Sequence, residues 1–166
     1  MGRIRSGRGL WGKPCCDRRG SAGQYAVYCT TDTQGDLFQI EAVRKYPGSH
    51  DALLETAYEE LADDARPELA SQIENLDNYD VIFMGYPNRN SDLPLPLYTF
   101  LEEYDFSGKT IIPFTTHGGS GFSGTIRTIQ ELQPDATVSE DGLSISRNSV
   151  PDAQGNVADW IAGLNL

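Results

Sequence analysis

The sequence predicts an α/β domain whose parallel strands are covered by helices on both faces. Two apolar runs, residues 80–85 and 110–114, are continuous rather than alternating, which is typical of strands buried on both faces. The segment between them, residues 95–104, carries apolar residues at helical spacing. A crossover helix makes the two strands parallel. The loops that follow them, residues 86–93 and 115–122, therefore meet at the carboxyl edge of the sheet, where open α/β folds bind ligands.

Apolar spacing, caps and turn residues predict the other elements. A strand over residues 37–43 follows turn residues, and Ser49 caps a helix over residues 51–63 whose apolar positions face the sheet. The further expected elements, in chain order, are a short helix from Pro67 to about residue 75, a helix over residues 125–132 ended by Pro134, a last strand in residues 136–138 or 142–145, and a final helix capped by Asn156. The apolar run at residues 25–29 fits a strand or the end of a helix.

Residues 1–24 are rich in glycine and arginine and show no strand or helix periodicity. We expect them to form a poorly ordered arm outside a single domain at residues 25–166. A basic arm for nucleic acid is the alternative, although Trp11 is its one aromatic residue.

The charge distribution excludes some partner classes. The 166 residues carry a net charge of −11, and residues 1–20 hold six of the 13 basic residues and one of the 24 acidic ones. The rest of the chain is therefore strongly acidic, which disfavours nucleic acid and anionic membrane and favours a basic partner surface. The alternative is that the acidity only keeps the protein soluble.

Cysteine usage and hydropathy indicate the compartment. Cys15, Cys16 and Cys29 match neither a disulfide framework nor a zinc site, and no apolar stretch approaches the ~18 residues of a membrane span. We therefore expect a cytoplasmic protein. No cluster of metal ligands adjoins the two loops, so no metal is expected.

The glycine-rich loop, residues 117–122, is the most informative candidate site. Its three glycines let the backbone approach a flat ligand and point N–H groups at its oxygens. His117 is the candidate catalytic residue, as a proton or hydrogen-bond donor, or else it caps the loop. A turn without a ligand is the alternative. A hydrolase oxyanion loop is disfavoured because residues 121–125 lack the last glycine of a nucleophile elbow.

Three stretches resemble the flavodoxin-like superfamily, in particular small bacterial flavodoxin-type proteins. They are Tyr-Asp-Val-Ile-Phe-Met-Gly-Tyr-Pro-Asn at residues 79–88, residues 98–114, and His-Gly-Gly-Ser-Gly at residues 117–121. The resemblance implies a doubly wound, five-stranded parallel sheet in the order 2-1-3-4-5, with flavin mononucleotide (FMN) at its carboxyl edge. The implied cofactor residues are Pro87, Asn88, Arg89, Asn90, Thr115, Thr116, His117, Gly118, Gly119, Gly121 and Phe122.

The same resemblance implies electron transfer or quinone-reductase-type chemistry, with a redox protein or a small acceptor such as a quinone as partner. The sequence leaves the donor, the acceptor and the oligomeric state open. Two departures support an alternative, a flavodoxin fold that serves as a binding module without flavin. Residues 1–36 lack the family's Ser-x-Thr-Gly-Asn-Thr phosphate loop, and Arg89 and Asn90 replace two tryptophans. A shifted reading frame upstream of about residue 34 would also explain the first departure, and resequencing the coding DNA tests it.

Overall fold

The computed structural model describes residues 8–14, 36–47 and 50–164. Its strands are β1 (Arg8–Pro14), β2 (Asp36–Ile40), β3 (Tyr79–Pro87), β4 (Thr110–His117), β5 (Thr137–Val138) and β6 (Leu143–Ser146). Its helices are α1 (His50–Ala62), α2 (Leu95–Glu103), α3 (Thr125–Leu132) and α4 (Gln154–Gly163), with short 3-10 turns at Leu76–Asn78 and Val150–Asp152.

The described strands form one parallel sheet in the order β2-β1-β3-β4-β5, which confirms the predicted fold class. A sixth strand, β6, also pairs with β4. Both candidates for the last strand are therefore strands, because β5 pairs with the start of β4 and β6 with its end. Pro113, which has no N–H to donate, lies in β4 between these two paired stretches.

The strand β1 was not predicted, because it lies within the range that we expected to be poorly ordered. It pairs with β2 on one side and β3 on the other, for example Leu10 with Asp36 and with Ile82. Strand pairing is made by backbone N–H and C=O groups, so it does not require a recognisable pattern of side chains in the sequence. The apolar run at residues 25–29 lies outside the described residues, and the division into an arm and a domain stays a prediction.

Strand β3 is buried on both faces, as its continuous apolar run predicted. Ile82, Met84 and Tyr86 belong to one core cluster, which α2 and α3 cover with residues that include Phe100 and Ile129. Phe83 points to the other face and belongs to a second cluster that α4 covers. The helices predicted at 51–63, 95–104 and 125–132 are confirmed to within a residue at each end.

The predicted helix from Pro67 to about residue 75 is wrong. Leu69 instead forms an antiparallel bridge with Ala42, and the flanking backbone hydrogen bonds, such as Val43 N–H to the Glu68 carbonyl at 2.8 Å, continue the pairing. These long-range hydrogen bonds pair backbone N–H and C=O groups that a helix would have paired within itself. The strand at residues 37–43 ends earlier, at Ile40, and the final helix begins at Gln154 rather than after Asn156.

Candidate functional site

The loops after β3 and β4 meet at the carboxyl edge, and Asn88 joins them. Its backbone N–H donates to the Thr116 carbonyl at 2.8 Å. Its side-chain amide donates to the Gly121 carbonyl at 2.8 Å and to the Ser123 hydroxyl at 3.2 Å. One asparagine therefore fixes the position of the glycine-rich loop relative to β3.

The junction leaves hydrogen-bonding groups without partners. The buried Oδ1 atom of Asn88 accepts no hydrogen bond, and such an unmet acceptor costs about 1–3 kcal/mol. Within the described residues, the backbone N–H groups of Gly118, Ser120 and Gly121 have no acceptor. Gly119 has φ +141°, and a Cβ there would meet nothing within 4 Å. The loop thus has several backbone donors available to a ligand, and a flat ligand edged with oxygens would satisfy them.

His117 is held in one tautomer by its own loop. Its Nδ1 accepts the Gly119 N–H at 2.9 Å, so a neutral ring carries its hydrogen on Nε2. The side chain can offer that N–H to a ligand. To act as an acid it would need a second proton on Nδ1, which would break the bond from Gly119. The geometry therefore favours a hydrogen-bond donor over a general acid, and the catalytic role stays a prediction.

The loop after β3 makes a tight turn at Arg89–Asp92. Arg89 and Asp92 exchange both backbone hydrogen bonds, at 3.0 and 2.8 Å, and the two residues between them, Asn90 and Ser91, have φ of +49° and +67°. Positive φ at both central positions is typical of a type I′ turn. The Asp92 carboxylate accepts from the Leu93 N–H at 2.8 Å and fixes the far end of the turn.

The Asp92 carboxylate also accepts a hydrogen bond from the Tyr98 hydroxyl at 2.8 Å. Burial, together with this carboxylate, raises the pKa of Tyr98 to about 12. The turn is therefore anchored to helix α2.

The other predicted cofactor residues separate into two groups. Thr115 and Thr116 are buried, and the Thr115 hydroxyl donates to the Tyr86 carbonyl at 2.9 Å, so it serves the scaffold. The Tyr86 hydroxyl donates to Thr125 at 2.7 Å, and burial holds its pKa well above the usual range. Phe122 packs on the core beside them.

The second group lines a cavity that the glycine-rich loop does not reach. Pro87, Arg89 and Asn90 line a cavity whose other wall includes helix α1, and no residue of 115–122 lines it. The structure therefore brings Asn88 and the glycine-rich loop together and places these three residues beside a separate space.

Arg147 adjoins the site and was missed from the sequence. It is the first residue after β6, and its N–H donates to the His117 carbonyl at 2.9 Å. Its guanidinium carbon lies 3.6 Å from the point where a Cβ on Gly118 would stand. The signal was available, because a strand at 142–145 places the next residues at the same edge as the glycine-rich loop.

The described ranges contain neither a metal-ligand cluster nor a membrane-spanning helix. No group of three or more His, Cys, Asp or Glu side chains there could hold a metal ion. None of the helices described combines the length and apolar character needed to cross a bilayer.

Comparison with solved structures shows the same fold in flavoproteins. A candidate flavoprotein from Bacteroides uniformis is 26% identical, with a TM-score of 0.79 over 95% of this chain and 99% of that one. A similar candidate from Bacteroides eggerthii is 23% identical, with a TM-score of 0.71 over 92% and 98%. A flavoprotein from Lactobacillus acidophilus, solved in complex with FMN, is 16% identical, with a TM-score of 0.67 over 88% and 97%.

No curated protein matches the sequence. The family model described as flavodoxin matches residues 20–163, a range that begins after β1 and contains both loops of the candidate site. Because this match spans well over half of the chain, the protein belongs to the flavodoxin family.

Proposed function

We propose that this protein binds FMN at the carboxyl edge, against the glycine-rich loop and the loop after β3, and acts in the cytoplasm in electron transfer or as a quinone-reductase-type oxidoreductase. Family membership supports a flavin-binding role. The observation that carries the proposal is the set of unpaired donors at Gly118, Ser120 and Gly121 beside the Asn88 junction. Flavin rings have carbonyl oxygens along one edge, and backbone N–H groups are suitable donors for them.

The chain's own residues would then hold and orient the cofactor. The glycine-rich loop would donate backbone hydrogen bonds, and His117 would add its Nε2–H. Asn88 would hold the two loops together through its hydrogen bond to the Gly121 carbonyl. Bound FMN would supply one- and two-electron chemistry. The acidic surface favours a basic redox protein as partner, and a small acceptor such as a quinone is the other candidate.

A flavin titration tests the proposal. Purified protein should quench the fluorescence of micromolar FMN and take up a visible flavin spectrum. Gly119→Ala should weaken FMN binding, because alanine rarely adopts φ +141° although its methyl group has room. Gly155→Ala is the matched control, since residue 155 lies in α4 with no neighbour near its added Cβ. Absence of quenching at micromolar FMN would refute the proposal.

The second candidate is a flavodoxin-fold binding module without flavin. The residues at the turn favour it, because Arg89 and Asn90 offer no aromatic surface for a flavin ring to stack on. A tryptophan at residue 90 would be strained at φ +49°, so Arg89→Trp alone is the sharper substitution. A flavin that reaches the turn should bind this variant more tightly. If the affinity is unchanged, the wild-type titration decides between a binding module and a flavin held by the glycine-rich loop alone.

A further inference from the structure

A cavity of about 110 Å³ lies between α1, the segment after β2 and the chain from Pro87 to Pro96. Its walls are mainly apolar and include Ile40, Ala42, Ala57, Leu61, Leu93 and Leu95. Leu61 is 48% exposed, so this wall reaches the protein surface. Because no residue of 115–122 lines the cavity, its occupant does not have to be the flavin.

Three charged side chains line this cavity, and they differ in whether they have hydrogen-bond partners. Glu60 accepts a hydrogen bond from the Tyr46 hydroxyl at 2.9 Å, and the two oxygens of Asp92 accept from Leu93 and Tyr98. Arg89 is half-buried, yet within the described ranges its guanidinium has no hydrogen bond and no carboxylate within 4.0 Å. Of the three charged groups that line the cavity, Arg89 is therefore the one whose side chain has no partner among the described residues.

Two arginines elsewhere on this acidic protein are paired with carboxylates. Arg66 pairs with Glu102 at 2.8 Å, and Arg127 pairs with Glu131 at 2.8 Å. Among the described residues, Arg44 and Arg147 also have no carboxylate within 4.0 Å, but both are exposed to solvent, whereas Arg89 is half-buried. An unpaired arginine on the wall of an apolar cavity is a suitable receptor for a carboxylate, which a guanidinium can bind through two parallel N–H groups.

We propose that the cavity binds a short-chain aliphatic carboxylate, with the chain among the apolar side chains and the carboxylate on Arg89. The size follows from the volume. An apolar cavity of about 150 Å³ holds benzene, with six carbons, so about 110 Å³ holds roughly four or five. A cationic ligand would have to compete with the hydrogen bonds that Glu60 and Asp92 already accept, and a neutral one would leave the guanidinium without a partner. This proposal does not depend on flavin binding.

The test is an NMR titration of the full chain with butyrate, without added flavin. Amide signals of Ala42, Ala57 and Leu93 should shift saturably at millimolar butyrate, and n-butylammonium should leave them in place. Arg89→Gln should weaken binding about tenfold or more, since it removes a charge-assisted pair. Arg127→Gln is the matched control, because it removes the same charge from an exposed ion pair.

A second substitution tests the apolar part independently. Ala57→Leu should fill the cavity and abolish the shifts, whereas Ala62→Leu on the same helix, outside the cavity, should not. Absence of saturable shifts in the wild type would overturn the proposal. It would also be overturned if butyrate bound equally well to Arg89→Gln and Ala57→Leu, or if n-butylammonium bound as well as butyrate.

Discussion

Gly85→Ala should destabilise the fold through one contact that the sheet geometry makes unavoidable. Gly85 lies opposite Phe114 in the β3–β4 register. A Cβ on Gly85 would stand 2.0 Å from Cζ and 2.3 Å from Cε2 of the Phe114 ring. That ring is 1% exposed and packs against Trp160, with the ring centroids 6.4 Å apart. The ring therefore cannot move away without disturbing the second core cluster.

The size of the effect follows from these distances. Ordinary contact begins at 3.4 Å, so the ring must shift by roughly 1.4 Å against its neighbours. Overpacking of a well-packed core typically costs 1–3 kcal/mol, and we expect Gly85→Ala to lower the free energy of unfolding by about 3 kcal/mol. Urea denaturation followed by circular dichroism measures it, with the slope of the transition unchanged.

Two further variants isolate the contact. Gly155→Ala makes the same chemical change in the first turn of α4 with no neighbour within 4 Å, and it should change the free energy of unfolding by less than about 0.5 kcal/mol. Phe114→Leu removes the obstructing ring, so the double variant with Gly85→Ala should lose less stability than the two single losses added together. A Gly85→Ala protein within about 0.5 kcal/mol of the wild type would refute the reasoning.

Three more predictions concern hydrogen-bonded side chains. Asn88→Ala should weaken FMN binding about tenfold and speed amide exchange in the glycine-rich loop, because it removes the side chain that joins the loops; unchanged exchange would contradict this. The pKa of Tyr98 is raised to about 12 in the folded protein, so the stability it contributes is full below about pH 10 and is lost as pH rises through 12; Tyr98→Phe should remove this step from alkaline unfolding curves. Hydrogen bonds from Ser107 lower the pKa of Asp105, whose contribution to stability is therefore lost as pH falls through that lowered value. Ser107→Ala should raise the Asp105 pKa in a carboxyl NMR titration, and an unmoved pKa would refute this cause.

The elements that could be predicted from the sequence are those whose pattern of apolar side chains reflects which of their faces are buried. Strand β3 is apolar at successive positions because both its faces are covered, and α3 carries apolar residues such as Ile129 on one side. Strand β1 was missed because its partners bind its backbone, while its glycine and charged residues resemble a disordered segment. At Pro67 a genuine helix-start signal was overridden by pairing with residues far away in sequence.

The candidate site was predictable to the level of its loops but not of its contacts. Apolar strands and the parallel crossover placed residues 86–93 beside 115–122. The hydrogen bond from Asn88 to the Gly121 carbonyl joins the two loops. It depends on the direction of that carbonyl, which residue spacing in the sequence does not indicate. Arg147 lies at the same edge because it directly follows β6, and the predicted loops included only those after β3 and β4.

The outer border of the sheet beside β4 has a consequence for association between molecules. It consists of two short strands, β5 with two residues and β6 with four, separated by residues 139–142, which include Glu140 and Asp141. The Trp160 indole N–H donates to the Asp141 carbonyl at 2.8 Å and holds the segment between the two strands in place. An incoming strand from another chain would find no long run of free backbone groups here and would meet two carboxylates. This border should therefore resist the edge-to-edge addition of strands by which exposed parallel sheets aggregate.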